Sequence, residues 1–171
     1  LRNIVTYTNE HGGFNEYNSP TYTTVVIREC ERFLRISTNE EVLDSARTIW
    51  RLGWETIADH YHPGTCQWAG PHSRGYANHL SESFTLRLSM ETGADVPAHP
   101  SVEHEASGFV VPGGIMPCPE DLRSRFHALP KEEVESHQRF IKRSTDESST
   151  WGTTWMDRNA CLGSVNHDNF W

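Results

Sequence analysis

Two helix-start signals stand in residues 19–61, which read SPTYTTVVIRECERFLRISTNEEVLDSARTIWRLGWETIADHY. Ser19-Pro20 is typical of a helix start, because serine caps the first turn and proline fits the first helical position. Thr38 and Glu41 form a capping box, which predicts the start of a second helix. Apolar residues recur at helical spacing in both stretches. The short link between them predicts an antiparallel helical hairpin.

The segments on either side of this hairpin carry weaker patterns. Residues 3–8 are β-branched and aromatic, and they predict a short extended segment. A third helix is expected over about residues 77–92, where Gly93 ends it. Pro130 followed by three charged residues predicts a further helix over 130–141.

Strand patterns gather in the last part of the chain. Residues 148–156 and 160–165 alternate as strands do, and a further strand is expected at 108–111 within a proline-rich connection. Helices followed by strands predict helical layers joined to a β-region. We therefore expect a mainly α fold, in which residues 1–145 form a helical domain and residues 146–171 begin a β-sheet domain.

Composition limits the classes of partner. The 171 residues carry a formal net charge of −8, which argues against non-specific binding to nucleic acid. No apolar run approaches the roughly 20 residues that cross a membrane. An acidic chain can still bind an anionic sugar through a local cluster of arginine and histidine. Composition therefore indicates neither nucleic acid nor a membrane as a partner, and it leaves room for the polysaccharide or oligosaccharide partner that the bends described next suggest.

The bend before the first helix of the hairpin, residues 12–22, reads GGFNEYNSPTY. Its candidate site residues are Asn15, Glu16, Tyr17, Asn18 and Tyr22. The two amides suit a carboxylate or sugar hydroxyls, the glutamate suits acid or base catalysis, and the tyrosines suit proton transfer or stacking on sugar rings. The asparagines are equally explained as turn residues, and the second tyrosine as a core residue.

A second glycine-marked bend at residues 70–76 reads GPHSRGY. His72 suits general acid or base catalysis, and Arg74 can grip a carboxylate with two hydrogen bonds. On an extended stretch Tyr76 would point to the same side as both. Trp68, just before the bend, suits stacking on a sugar, although such a tryptophan can equally close a core edge. An ordinary polar surface loop is the alternative explanation.

Metal and thiol patterns are weak. The four cysteines lie far apart with no CxxC pair, so no zinc site of that kind is expected, and Cys30 is predicted to be a buried free thiol. No cofactor is expected. Two histidine groups are candidate metal ligands without a diagnostic spacing: His60, His62 and His79, and then His99 and His104 beside Glu103 and Glu105.

Three sequence features in order resemble one protein group. They are GGFNEYNSPTYT leading into a helix, AGPHSRGY after the hairpin, and a strand-rich end with TTWM, LGS and a final FW. They resemble an uncharacterised group of (α/α)-toroid proteins similar to heparinase II/III-type polysaccharide lyases. The resemblance implies an incomplete toroid of helical hairpins followed by the start of an antiparallel β-region.

The same resemblance implies β-elimination on a uronic acid. Asn15 or Asn18, with Arg74, would neutralise the carboxylate, while His72 and Tyr76 would carry protons. The expected function is therefore a lyase that cleaves an acidic polysaccharide.

Other activities remain open. One is inverting glycoside hydrolysis by Glu16 with Asp59 or Glu55. A second is a dehydratase or isomerase acting on a smaller molecule. A third is a non-catalytic sugar-binding domain, in which Trp68 matters most. The compartment stays open among extracellular, periplasmic and cytoplasmic locations.

The two ends of the sequence suggest a piece of a longer protein. The chain starts at Leu1 without methionine and stops at Trp171 in a strand-like segment. We therefore expect its partner to be the rest of the same protein or a second copy, because an incomplete toroid leaves apolar faces uncovered.

Overall fold

The structure, a computed structural model, describes residues 1–102 and 116–167. Its helices are α1 (Arg2–His11), α2 (Pro20–Ile36), α3 (Glu40–His60), α4 (Glu82–Thr92) and a 3-10 helix (Glu120–Phe126). Its strands are β1 (Tyr61–His62), β2 (Gln67–Trp68), β3 (Glu133–Ile141), β4 (Thr150–Asp157) and β5 (Cys161–Val165). The strand expected at 108–111 lies outside the described residues.

The predicted hairpin is confirmed as α2 packed on α3. The Ser19 side chain caps α2 by accepting a hydrogen bond from a first-turn backbone N–H, and Pro20 is its first residue. At α3 the cap is Asn39 rather than Thr38, because the Asn39 side chain accepts the hydrogen bond from the third helical N–H. Gly53 allows close approach of the helices, since a β-carbon there would meet the Ile27 side chain.

Two local predictions are wrong. Residues 3–8 lie within α1, which packs on α3 and ends at Gly12 in the left-handed conformation (φ 84°). Residues 133–141 form strand β3, not a helix, because their exposure alternates and they pair antiparallel with β4. The third helix is confirmed but begins at Glu82, with Ser81 as its cap.

The expectation of a mainly α, (α/α)-toroid fold is wrong. Among the described residues 43 % are helical and 17 % are in strands, so the fold is mixed α/β with two small antiparallel sheets. A toroid repeats helical hairpins around a ring, whereas α1 and α4 in the described chain flank a single long pair. The division at residue 145 stays a prediction; β3 precedes that point and pairs with β4.

The larger sheet has the order β3-β4-β5 and two different faces. Along β4 the odd-numbered residues are partly exposed and the even-numbered ones are buried. The buried face packs on the first and second bends. A side chain at Gly152 would meet Tyr17 and Pro71, and one at Gly163 would meet the backbone of Gly70.

The main core joins the helical part to the segment after residue 116. Trp54 of α3 and Phe126 of the 3-10 helix meet edge to face at 6.3 Å, and both are almost fully buried. Trp68 belongs to the same cluster. Within residues 1–102 and 116–167, no helix has the length and apolar character to cross a membrane.

Candidate functional site

Four of the predicted site residues meet at the surface between the two bends. Glu16, Tyr22, Arg74 and Tyr76 are here called the Tyr–Arg cluster. Arg74 Nε lies 2.8 Å from a carboxylate oxygen of Glu16, and its Nη1 donates a long 3.5 Å hydrogen bond to the Tyr76 hydroxyl. The guanidinium also lies 5.9 Å from the centre of the Tyr22 ring, within the range of a cation–π contact.

The two tyrosines of this cluster differ in acidity. Hydrogen bonds to Arg74, and then to Tyr22, lower the pKa of Tyr76, whose side chain is 64 % exposed. The hydrogen bond with Tyr76 raises the pKa of Tyr22. Tyr76 is therefore the phenol that ionises first, and Tyr22 is the one that keeps its proton.

A groove of about 230 Å³ opens beside the cluster. It is lined by Phe14, Asn15, Glu16, Tyr22, Thr23 and Val26. The amide oxygen of Asn15 accepts a hydrogen bond from the Tyr7 hydroxyl at 3.0 Å. Small-molecule sites usually measure about 300–1,000 Å³, so this groove has room for a small ligand or for one unit of a larger one.

Asn18 holds the second bend in place instead of facing the groove. It is 1 % exposed and adopts the left-handed conformation (φ 46°). Its amide nitrogen donates to the carbonyl oxygens of Ala69 (2.9 Å) and Pro71 (3.0 Å), and its amide oxygen accepts from the Trp68 indole. The amide is thus occupied by the protein's own loop.

His72 and Trp68 serve the same loop. The His72 ring places Nδ1 2.7 Å from the carbonyl oxygen of Asn18 and Nε2 3.0 Å from that of Trp68. Both ring nitrogens therefore face backbone carbonyl oxygens of the loop, and a neutral imidazole donates a hydrogen bond to one of the two. Trp68 is 5 % exposed and stacks on Phe84, which leaves no ring face for a sugar.

A buried tyrosine–histidine pair lies behind the loop. The Tyr17 hydroxyl is 3.1 Å from His60 Nε2 and 3.0 Å from the Gln138 side chain. Burial lowers the pKa of His60 to about 4, and its Nδ1 donates to the Thr56 carbonyl oxygen, so Nε2 accepts the Tyr17 proton. The side-chain oxygen of Gln138 is a second acceptor beside the same hydroxyl, which has one hydrogen to donate.

Sequence reasoning missed two members of this buried group. Gln138 stood in a predicted helix, and His60 was considered only as a metal ligand. The alternation of residues 133–141 was the signal that would have placed Gln138 on the inner face of a strand.

The carboxylates of the hydrolase alternative line different spaces. Glu55 and Asp59 border a small cavity of about 80 Å³ beside Tyr17, and each is ion-paired with an arginine. Burial raises the pKa of Asp59. Glu16 borders the larger groove instead. The structure therefore does not bring Glu16 together with either carboxylate in one cavity.

The histidines form no metal cluster in the described ranges, where no three His, Cys, Asp or Glu side chains are arranged to hold an ion. His60 and His62 are fully buried, and His79 stacks on His99 at 3.6 Å. The other candidates, Glu103, His104 and Glu105, lie outside the described residues. Cys30 is confirmed as a buried free thiol.

Comparison with known proteins gives one family. No curated protein and no solved structure matches this chain significantly. A family model described as a domain of unknown function, DUF8769, matches residues 2–96, which is more than half of the chain. The matched segment contains the Tyr–Arg cluster, the groove and both bends. The chain therefore belongs to the DUF8769 family.

Proposed function

We propose that the Tyr–Arg cluster is the reaction centre of a lyase that cleaves a uronic-acid polysaccharide by β-elimination. One observation carries the proposal: the Arg74 guanidinium lies within hydrogen-bond distance of an exposed tyrosine, Tyr76, and that hydrogen bond lowers the pKa of the phenol. Elimination from a uronate requires a base for the C5 proton and a cation for the adjacent carboxylate. The pair supplies both within one loop.

The elimination assigns one role to each side chain. Arg74 binds the uronate carboxylate and stabilises the charge that develops on it when C5 loses its proton. The Tyr76 phenolate accepts that proton. The C4–O4 bond then breaks as the C4–C5 double bond forms. Tyr22, which keeps its proton, donates it to the departing O4 oxygen.

These roles depart from the sequence expectation in two ways. His72 and Asn18 act as positioning residues, because their polar atoms are engaged with the loop backbone. Tyr22 becomes the acid partner of Tyr76. The resemblance of the two bends to a group similar to heparinase II/III-type lyases supports the reaction class, and the groove beside Tyr22 supports a sugar unit in contact with the cluster.

A variant at Glu16 distinguishes the elimination hypothesis from the hydrolysis hypothesis. It shares Arg74 with the incoming uronate, so Glu16→Gln removes a competing anion. For a lyase we expect KM for the polyuronate to fall while product formation continues. A hydrolase that relies on Glu16 would lose its activity in this variant.

The direct test is to incubate the chain separately with alginate, polygalacturonate, hyaluronate and heparan sulfate. An unsaturated uronate product absorbs ultraviolet light, and we expect that absorbance to rise with at least one polymer. Tyr76→Phe should abolish the rise. Tyr7→Phe, the same chemical change at a tyrosine outside the cluster, should preserve it. New reducing ends without unsaturation, or no product from any polymer, would contradict the proposal.

A further inference from the structure

The outer face of the three-stranded sheet carries two tryptophans and a band of polar side chains. Trp151, Thr153 and Trp155 alternate along β4 with buried residues, so all three point away from the core. Their cross-strand neighbours share this face. The tryptophan face is defined as Trp151, Thr153, Trp155, Glu135, His137, Arg139, Leu162 and Ser164.

Both indoles are held in fixed orientations. Trp155 Nε1 donates to the Glu133 carboxylate at 2.7 Å, and Trp151 Nε1 donates to the Asp146 carbonyl oxygen at 3.0 Å. The Arg139 guanidinium lies 5.8 Å from the Trp151 ring centre. Because each indole N–H already has an acceptor, the exposed part of each ring offers aromatic carbon to a ligand.

The spacing of the rings suits an extended ligand. Four residues along a strand cover about 13 Å, so one monosaccharide does not reach both indoles and an oligosaccharide does. Hydrogen-bonding groups lie between the rings: Thr153 Oγ1 is 2.9 Å from His137 Nδ1, and His137 Nε2 is 2.7 Å from Glu135. Apolar rings that alternate with polar groups match the C–H faces and hydroxyls of a glycan.

The charge around Trp155 distinguishes between three possible ligands of this face: a polyuronate, a protein surface and an uncharged glycan. Three carboxylates surround Trp155: Glu135 is its cross-strand partner, Glu133 accepts its indole hydrogen bond, and Asp157 is two residues further along β4. These carboxylates repel a polyuronate, and covering them with a protein surface would remove their water at a high cost. An uncharged glycan can stack on the ring and leave the carboxylates hydrated.

We propose that the tryptophan face is a second carbohydrate-binding surface, which holds a linear, uncharged oligosaccharide with sugar rings stacked on Trp151 and Trp155. It lies on the opposite side of the sheet from the second bend, whose residues pack on the inner face. The two surfaces also differ in charge, because the Arg74 cation suits a uronate and the acidic surroundings of Trp155 suit a neutral sugar. The inference therefore stands apart from the elimination chemistry.

The test is isothermal titration calorimetry of the full chain with cellohexaose, xylohexaose and mannohexaose, with glucose as the short probe and oligogalacturonate as the anionic one. We expect at least one neutral hexasaccharide to bind, and glucose and oligogalacturonate to bind much more weakly. Trp151→Ala and Trp155→Ala should each weaken binding about fivefold to tenfold, since each removes one stacked ring.

Matched variants keep this result interpretable. Trp155→Tyr retains an aromatic face and should preserve most of the affinity, while Leu86→Ala removes an exposed apolar side chain of α4, outside this face, and should leave it unchanged. Unchanged thermal midpoints show that the variants fold. Tyr76→Phe should bind the hexasaccharide normally, so failure of the lyase proposal leaves this one standing.

Three outcomes would overturn the inference. One is the absence of binding to every neutral hexasaccharide. Another is that a double variant, Trp151→Ala with Trp155→Ala, binds the hexasaccharide as tightly as the wild type does. The third is self-association, seen by sedimentation, that the double variant abolishes, because the face would then be an interface between copies of this chain.

Discussion

The Trp68 indole donates a hydrogen bond to the side-chain oxygen of Asn18, and this bond joins the turn before α2 to the loop that carries Arg74 and Tyr76. The amide nitrogen of the same asparagine also donates hydrogen bonds to two carbonyl oxygens of this loop. A single buried amide thus sets where the Tyr–Arg cluster stands relative to the groove.

Replacing this amide should be costly. Asn18→Ala removes three side-chain hydrogen bonds and leaves the Trp68 N–H and two carbonyl oxygens buried without partners. We expect the free energy of unfolding to fall by about 3 kcal/mol, measured by urea denaturation. Asn15→Ala, at an exposed neighbour with one hydrogen bond, should change it by less than about 0.5 kcal/mol. Similar losses of unfolding free energy in both variants would contradict the role of the Asn18 amide in holding the loop.

The acidity of Tyr76 should depend on Arg74. Arg74→Gln removes the cation whose hydrogen bond lowers the pKa of Tyr76, so that pKa should rise. Titration of tyrosinate ultraviolet absorbance should show one phenol moving to higher pH, and the alkaline rise in the rate of the proposed elimination should move with it. Arg74→Lys keeps the charge and should shift both less. A rate that falls at every pH with no shift of the profile would indicate a merely structural arginine.

A buried charge cluster between α2 and α4 predicts an unusual pH dependence. Arg87 contacts Glu31 at 2.8 Å and Glu91 at 2.7 Å, so two buried carboxylates share one cation. The second carboxylate oxygen of Glu91 is buried, and no group among residues 1–102 and 116–167 donates a hydrogen bond to it. Burial raises the pKa of both acids, and that of Glu91 reaches about 7.

The raised pKa of Glu91 determines whether stability rises or falls with pH. The folded chain holds a proton on Glu91 that the unfolded chain loses above its ordinary pKa of 4.5, so this residue's contribution to stability is complete below that pH and is lost as pH rises to about 7. We expect unfolding free energies of the wild type and Glu91→Gln to diverge over this window, by roughly 2–3 kcal/mol in favour of the glutamine variant at neutral pH. Parallel pH profiles would contradict the raised pKa of Glu91.

The contact between β5 and the second bend depends on a glycine. A side chain at Gly163 would overlap the backbone of Gly70 and Pro71, which cannot move away as a flexible side chain can. Gly163→Ala should therefore destabilise the chain by about 1–3 kcal/mol and reduce elimination, because the loop carries the cluster. Ser164→Ala, the next residue on the exposed face, is the control and should be silent in both denaturation and activity assays.

Local signals in the sequence predicted the helical hairpin well. Ser19-Pro20 marks the start of α2 because the cap uses atoms within one turn, and the strands β4 and β5 follow from alternation. Likewise Arg74 and Tyr76 are two residues apart, so their meeting needs no distant contact.

Distant contacts account for what the sequence did not reveal. Asn18 adopts its left-handed conformation against a loop about fifty residues later, and no local pattern distinguishes that role from ligand binding. Residues 133–141 form a strand because β4 supplies the pairing partner, although Pro130 and the charges after it resemble a helix start. Tyr17 is likewise buried by Phe140, on which its ring stacks at 4.0 Å.

The contact of the sheet with the second bend has a consequence for where this family's shared segment ends. That segment stops at residue 96, yet the Thr154 hydroxyl donates to the Gly70 carbonyl oxygen at 2.8 Å and Gln138 meets Tyr17. The segment matched by the family model is thus shorter than the part of the chain that packs together around the two bends. In this chain, strands that lie after the matched segment therefore support the loops that lie within it.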